Sequence, residues 1–143
     1  MYTITRKNRI KEQLQLCHAD GTPALTVDVD INVDEIAARV NKAYEVLGSA
    51  QVNLQKDPKS PEAAEAYGKA VIAVFNVIFG EKNTAALLEF YEGNYTELLL
   101  DVFPFINDEI MPKIREASAQ RKQQLADAAK KVKKDNRRGF FRS

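Results

Sequence analysis

Residues 25–33 alternate strictly between apolar and polar side chains, which is typical of a β-strand with one buried face. The apolar positions are Leu25, Val27, Val29, Ile31 and Val33. Upstream, Ile10, Leu14 and Leu16 keep the same period of two. Asp20-Gly21 lies between the two runs, and glycine there supplies the positive φ of a tight turn. The pattern predicts an antiparallel β-hairpin.

The spacing of apolar residues then changes to three and four, which indicates helices. Asn32 and Glu35 are predicted to cap the first helix, whose apolar stripe runs over residues 36–54. Ser60 followed by Pro61 is the predicted start of a second, more apolar helix. Since a lone hairpin is marginally stable in water, we expect its apolar face to pack on these helices.

Two further helices are predicted downstream. A short one begins at Asn83 or Thr84, and the next is capped by Asn94. Pro104 and Pro112 each remove a backbone donor, so we expect them to kink or break this last helix.

The C-terminal region differs in composition from the rest of the chain. Residues 113–134 favour a helix but contain few apolar side chains. Residues 136–143 have no helical pattern, so we expect this last segment to be disordered when free. The predicted fold is α+β, mostly α, with an N-terminal β-hairpin packed on a bundle of about four helices and a basic C-terminal arm. Residues 1–115 form the hairpin and helical domain, and residues 116–143 form a polar helix and flexible arm.

Composition indicates a soluble globular chain: of its 143 residues 45% are hydrophobic and 29% charged. One cysteine excludes an intrachain disulfide, and no apolar run approaches the roughly 20 residues of a membrane span. Nor do we find the apolar core of a signal peptide. Residues 121–143 hold nine basic and two acidic residues, a net charge of +7; since the whole chain carries +1, residues 1–120 carry −6.

Candidate catalytic and metal-binding patterns fail on inspection. Positions 28, 30, 32 and 34 resemble the start of a calcium loop, but Val33 stands where glycine is required and Arg39 where the bidentate glutamate belongs. Cys17 and His18 are neighbours on a strand, so their side chains should point to opposite faces. We therefore predict a protein that is not an enzyme, with no catalytic residue, metal or cofactor.

The basic C-terminal arm leaves three interpretations open. It is a solubilising terminus, an arm that docks on an acidic or amphipathic partner with two phenylalanines as anchors, or a nucleic-acid contact. The acidic body disfavours general nucleic-acid binding because it would repel phosphate. The candidate partner-binding residues of the arm are Lys130, Lys131, Lys133, Lys134, Arg137, Arg138, Phe140 and Phe141.

Three segments together resemble a known family. They are Val27-Asp28-Val29-Asp30-Ile31-Asn32-Val33-Asp34, Phe90-Tyr91-Glu92-Gly93-Asn94-Tyr95, and the stretch from Phe105 to Ile114. Over residues 10–115, these segments and the order of elements are similar to the tail assembly chaperones of long-tailed (siphovirus-type) bacteriophages and prophages. The resemblance implies a non-enzymatic protein of the host cytoplasm, absent from the mature virion. It would bind the tape measure protein, keep it soluble and help to recruit tail-tube protein.

A chaperone of this kind must offer an apolar surface to a long helix that would otherwise aggregate. Five phenylalanines are candidates for such a groove, or alternatively for the core: Phe75, Phe79, Phe90, Phe103 and Phe105. We hypothesise a chaperone that binds the tape measure protein, associates with itself and uses no membrane. The alternatives are a structural tail or head–tail connector subunit, and a basic-tailed nucleic-acid-binding regulator.

Overall fold

A computed structural model describes residues 1–5, 9–34 and 36–142, with side chains as far as Lys134. Two antiparallel strands precede a run of helices, which confirms the predicted α+β, mostly α fold with an N-terminal hairpin. The elements are β1 (Arg9–Cys17), β2 (Pro23–Asn32), α1 (Ile36–Lys56), α2 (Pro61–Phe79), α3 (Glu81–Phe90), α4 (Tyr95–Phe105), a π-helical turn (Ile106–Ile110) and α5 (Met111–Arg142).

The hairpin has the predicted antiparallel strands and tight turn. Leu16 pairs with Leu25 and Ile10 with Ile31. Gly21 adopts φ +86° and its N–H donates to the His18 carbonyl at 2.8 Å, so glycine closes the turn as expected. The alternating apolar residues of β2 are buried against α2 and α3, whereas the polar residues between them face outwards.

Helix α2 lies at the centre of the core. Its buried residues are Tyr67, Gly68, Ala70, Val71, Val74, Phe75, Ile78 and Phe79. The predicted cap is confirmed, since the Ala63 N–H donates to Ser60 Oγ at 3.2 Å and Pro61 occupies the first turn. Because α2 contacts the hairpin, α1, α3 and α4, it fixes the positions of all of them.

The predicted start of α1 is wrong in detail. Asn32 is the last residue of β2, and its Oδ1 accepts from the Asp34 N–H at 3.1 Å, two residues on. The side chain therefore shapes the strand end and not the first turn of the helix, which begins at Ile36. Glu35, the other half of the predicted capping box, lies outside the described residues.

Helix α3 begins earlier than predicted, at Glu81. The one-residue link, Gly80, has φ +81°, which reverses the chain immediately after α2. Asn83 does not cap the helix; its Nδ2 donates to the Asp28 carbonyl at 2.9 Å and so ties α3 to β2. The predicted cap of α4 is confirmed, because the Glu97 N–H donates to Asn94 Oδ1 at 3.0 Å.

Helices α4 and α5 are joined by the π-helical turn without a loop. Pro104 lies inside α4, and Pro112 is the second residue of α5. A proline ring clashes with the carbonyl four residues earlier in an α-helix, so the wider turn directly before Pro112 relieves that clash. The prolines alter the helix type locally, and the helical course continues past both of them.

The C-terminal helix leaves the core after Ala117. Two ion pairs hold its first half to the body, Lys113 with Glu12 and Arg121 Nε with Asp34 Oδ1 at 3.0 Å. The backbone stays helical to Arg142, beyond the stretch in which we predicted a helix. The side chains of four predicted partner-binding residues, Arg137, Arg138, Phe140 and Phe141, lie outside the described residues.

We expect Gly68→Val to destabilise the protein by about 1–3 kcal/mol, because an added side chain overpacks a closed site. A Cβ at Gly68 would lie 2.8 Å from Tyr95 Cε2, where α2 and α4 meet. Urea unfolding measures the change. Gly48→Val is the matched control, since a Cβ there meets nothing within 4 Å. Equal losses in both variants would contradict the close packing of α2 on α4.

Candidate docking cleft between α1 and α4

An open cleft of about 610 Å³ separates α1 from α4. Tyr44, Leu47 and Gly48 line it from α1, and Leu100 and Phe103 from α4. Gly48 contributes no side chain, so the α1 side of the cleft is recessed at this position. Leu100 is 70% exposed although it is a large apolar residue, so the cleft offers unburied hydrophobic surface.

Two aromatic rings, one from each helix, line the cleft. The ring centroids of Tyr44 and Phe103 lie 5.6 Å apart with the planes tilted by 40°, a favourable aromatic geometry. Tyr44 Oη is buried, and it has no hydrogen-bond partner among the described residues. Burial raises the pKa of Tyr44, while the positive charge of Arg115 lowers it in part.

One carboxylate borders the cleft on its α4 side. Residues 95–110 contain no lysine or arginine, and their four carboxylates are all exposed: Glu97, Asp101, Asp108 and Glu109. Asp108 itself borders the cleft beside Pro104. The cleft surface is therefore mainly apolar, with the Asp108 carboxylate at its border, since Glu97 and Asp101 line a different cleft.

The five candidate phenylalanines lie in different environments. Phe75 and Phe79 are in the core, stacked on each other at 5.5 Å, so the groove interpretation is wrong for these two. Phe105 is half-buried and stacks on Phe79 at 6.3 Å. Phe90 is half-buried at a different cleft, and Phe103 alone of the five lines the cleft between α1 and α4.

The sequence prediction missed Tyr44, Gly48 and Leu100. The signal for Leu100 was present in the run Leu98-Leu99-Leu100, because three consecutive apolar residues cannot all face one side of a helix. Leu98 and Leu99 are buried and Leu100 is left outside. The opening at Gly48 depends on where α4 lies relative to α1, which local sequence does not specify.

A second cleft lies between the end of β1 and the residues that link α3 to α4. The rings of His18 and Phe90 are 6.4 Å apart there, and Tyr91, Glu97 and Asp101 complete it. Burial, followed by the neighbouring Asp101 carboxylate, raises the pKa of Tyr91 well above its usual range. In the part of the chain that the structure describes, no three His, Cys, Asp or Glu side chains are grouped to hold a metal ion.

The predicted basic contacts lie far along α5 and not at either cleft. Lys130, Lys131, Lys133 and Lys134 are exposed on the portion of α5 that extends beyond the core. Their side chains line neither cleft of their own chain.

Replacing Tyr44 tests whether its buried hydroxyl destabilises the folded protein. We expect Tyr44→Phe to stabilise the protein by about 1 kcal/mol, because it removes a buried hydroxyl that has no partner. Tyr44→Leu, which also removes the ring that packs on Phe103, should destabilise it. The free energy of unfolding in urea measures both. A loss of stability in Tyr44→Phe would show that the hydroxyl is satisfied in solution.

The raised pKa of Tyr91 predicts a loss of stability in alkali. The folded protein favours the protonated phenol, so this stabilisation is complete below the unfolded pKa of about 10 and is lost as the pH rises above it. Tyr91→Phe should show a shallower alkaline decline in the free energy of unfolding. Tyr2→Phe, which changes an exposed phenol, is the control. The same decline in Tyr91→Phe as in the unaltered protein would refute this assignment.

Comparisons of the chain with protein-family models, curated proteins and solved structures give no match. Among the described helices, none is long and apolar enough to cross a membrane.

Proposed function

We propose that this chain is a tail assembly chaperone of a long-tailed bacteriophage or prophage. It binds the helical tape measure protein in the host cytoplasm, keeps it soluble and helps to recruit tail-tube protein, and it is absent from the mature virion. The observation that carries the proposal is the apolar cleft between α1 and α4, in which Leu100 stands exposed beside the half-buried ring of Phe103.

The cleft has the form needed to receive an amphipathic helix. Apolar side chains of α1 and α4 line the cleft from two sides, and an amphipathic helix bound there buries its own apolar stripe against them. Burying Leu100 alone is worth about 1.5–3 kcal/mol. A long helix with a repeated stripe would engage many copies, each through a modest contact.

Modest contacts suit a chaperone that must later release its partner. The cleft is open to solvent, so a bound helix keeps one face in solvent and the binding free energy for each copy stays limited. Addition of copies along one long helix raises the total occupancy through effective concentration. Removal by the growing tail tube then needs to displace only one copy at a time.

Co-expression with the tape measure protein encoded in the same genome tests the proposal. The chain should increase the soluble fraction of that protein and co-purify with it. Leu100→Asp should abolish both effects without unfolding the chaperone, because position 100 is exposed and a carboxylate there opposes docking of an apolar stripe.

Val46→Asp is the matched control. Val46 is 51% exposed on α1, two residues from both Tyr44 and Gly48, and therefore on the other side of that helix. The Val46→Asp variant should increase the soluble fraction of the tape measure protein as much as the unaltered chain does. Equal effects of Val46→Asp and Leu100→Asp, or no complex with the unaltered chain, would refute the proposal. Recovery of the protein from purified virions by mass spectrometry would favour a structural subunit instead.

A further inference from the structure

Strand β1 has a free edge, because the sheet contains two strands and β2 pairs with one side of β1. A side chain of α3 shows which backbone groups face that edge. Asn83 Nδ2 donates to the Asp28 carbonyl, so the backbone of Asp28 points away from β1, and that of its ladder partner Gln13 points away from β2. The same orientation recurs at every second residue of an antiparallel pair. The residues of β1 whose N–H and C=O groups face the free edge are therefore Arg9, Lys11, Gln13 and Gln15.

These outward groups have no hydrogen-bond partner in the part of the chain that the structure describes. Neither the turn and loop bonds nor the side-chain bonds of the described residues reach the backbone of residues 9–17. The outer edge of β2 differs, since α3 contacts it and Asn83 bonds the Asp28 carbonyl there. A row of unpaired donors and acceptors on an exposed strand is a template for a further strand. The free edge of β1 is therefore the place where this sheet can be extended.

The second cleft lies along this free edge. Leu14, Gln15, Leu16 and Cys17 all line it, whereas no residue of β2 does. Successive side chains of a strand point to opposite faces, so four consecutive residues border one cavity where the backbone edge itself borders it. The cleft holds about 620 Å³, and residues 9–11 border a smaller cleft against α5 in the same way. There is space at both ends of β1 for a strand that would lie about 4.8 Å from it.

The α3–α4 side of the second cleft carries carboxylates and aromatic rings. Glu92, Glu97 and Asp101 supply the carboxylates, and Phe90 and Tyr91 supply the rings. Among the described residues that line this cleft, none is a lysine or an arginine. A guanidinium group forms two parallel hydrogen bonds with a carboxylate and stacks on aromatic rings. The second cleft is therefore suited to the side chain of an arginine.

We propose that the free edge of β1 binds an extended, basic segment of another protein, which adds to the sheet as a third strand. The backbone of the segment pairs with the outward groups of Lys11, Gln13 and Gln15. An arginine at the end of the segment beside Cys17 enters the second cleft and meets its carboxylates. The inference goes beyond the proposed function, since this partner is a strand and not a helix, and it binds on a different surface from the cleft between α1 and α4.

A capped seven-residue peptide tests the contact, with threonine at the odd positions and arginine, valine and valine at the even positions in that order. In an antiparallel strand its arginine lies at the Cys17 end of β1. NMR spectra of the isotopically labelled full chain should show the largest amide shifts at Lys11, Gln13 and Gln15, which gain partners. Shifts of equal size at Glu12 and Leu14, which already pair with β2, or no shift in β1 with millimolar peptide, would overturn the proposal.

N-methylation of the peptide separates strand addition from attraction between charges alone. One variant is methylated at the nitrogens of the third and fifth residues, both threonine, and the other at those of the two valines. Because alternate residues of a strand face its partner, one variant should bind about tenfold or more weakly and the other should bind as the parent peptide does. Both variants are measured with the unaltered chain, so its folding does not affect the comparison. Equal affinities of the two variants would refute strand addition.

Replacement of the peptide arginine by citrulline, which has the same shape without the charge, tests the acidic side of the cleft. Citrulline should weaken binding to the unaltered chain by about tenfold, and Glu97→Gln with Asp101→Asn should weaken binding of the arginine peptide to a similar extent. Glu62→Gln with Glu65→Gln is the matched control, because it removes the same charge from exposed positions on α2. A citrulline peptide that binds as tightly as the arginine peptide would contradict the assignment of arginine to this cleft.

Leu100→Asp distinguishes this contact from the proposed function. The variant alters the cleft between α1 and α4 and should bind the peptide as tightly as the unaltered chain does. Weaker peptide binding by Leu100→Asp would show that the peptide occupies that cleft and would overturn the proposal. Failure to solubilise the tape measure protein would refute the proposed function and leave strand addition to β1 unaffected.

Discussion

Burial of α2 is the interaction on which the rest of this structure depends. The helix has apolar side chains around most of its circumference, so it must be covered on several sides at once, and the hairpin, α1, α3 and α4 each cover one. Gly68 lets the Tyr95 ring come close on one side, and Gly80 turns the chain back at once into α3. With α2 surrounded in this way, α1 and α4 lie on its flanks, and the trough between their outer surfaces is the candidate docking cleft.

The features that sequence predicted well are those set by local chemistry. Alternation placed both strands of the hairpin, Asp20-Gly21 placed the turn, and the caps at Ser60 and Asn94 located the starts of α2 and α4. The errors arose where a side chain had a competing tertiary or local role. Asn32 bonds the Asp34 amide at the strand end, and Asn83, which looked like a helix start, reaches across to the Asp28 carbonyl. Neither partner is apparent from the spacing of residues alone.

The candidate site was less predictable than the fold for a related reason. Phenylalanine side chains are usually buried, whichever surface covers them. Phe75 and Phe79 lie in the core because α2, which carries them, is central. The cleft instead depends on an absent side chain at Gly48 and on one leucine, Leu100, left outside by a run of three. A missing side chain marks a cleft only when the facing element is known, and which of three adjacent leucines is exposed depends on how α4 is rotated against α2 and α3.

The two prolines connect this packing to the extended helix. A loop at Pro104 or Pro112 would have let the chain after α4 fold in a new direction, whereas the π-helical turn carries the helix onward and out of the core. The ion pairs Lys113–Glu12 and Arg121–Asp34 then hold the first turns of α5 to the hairpin and to the start of α1. The basic, amphipathic end of α5 therefore extends beyond the core, and its exposed lysines line neither cleft.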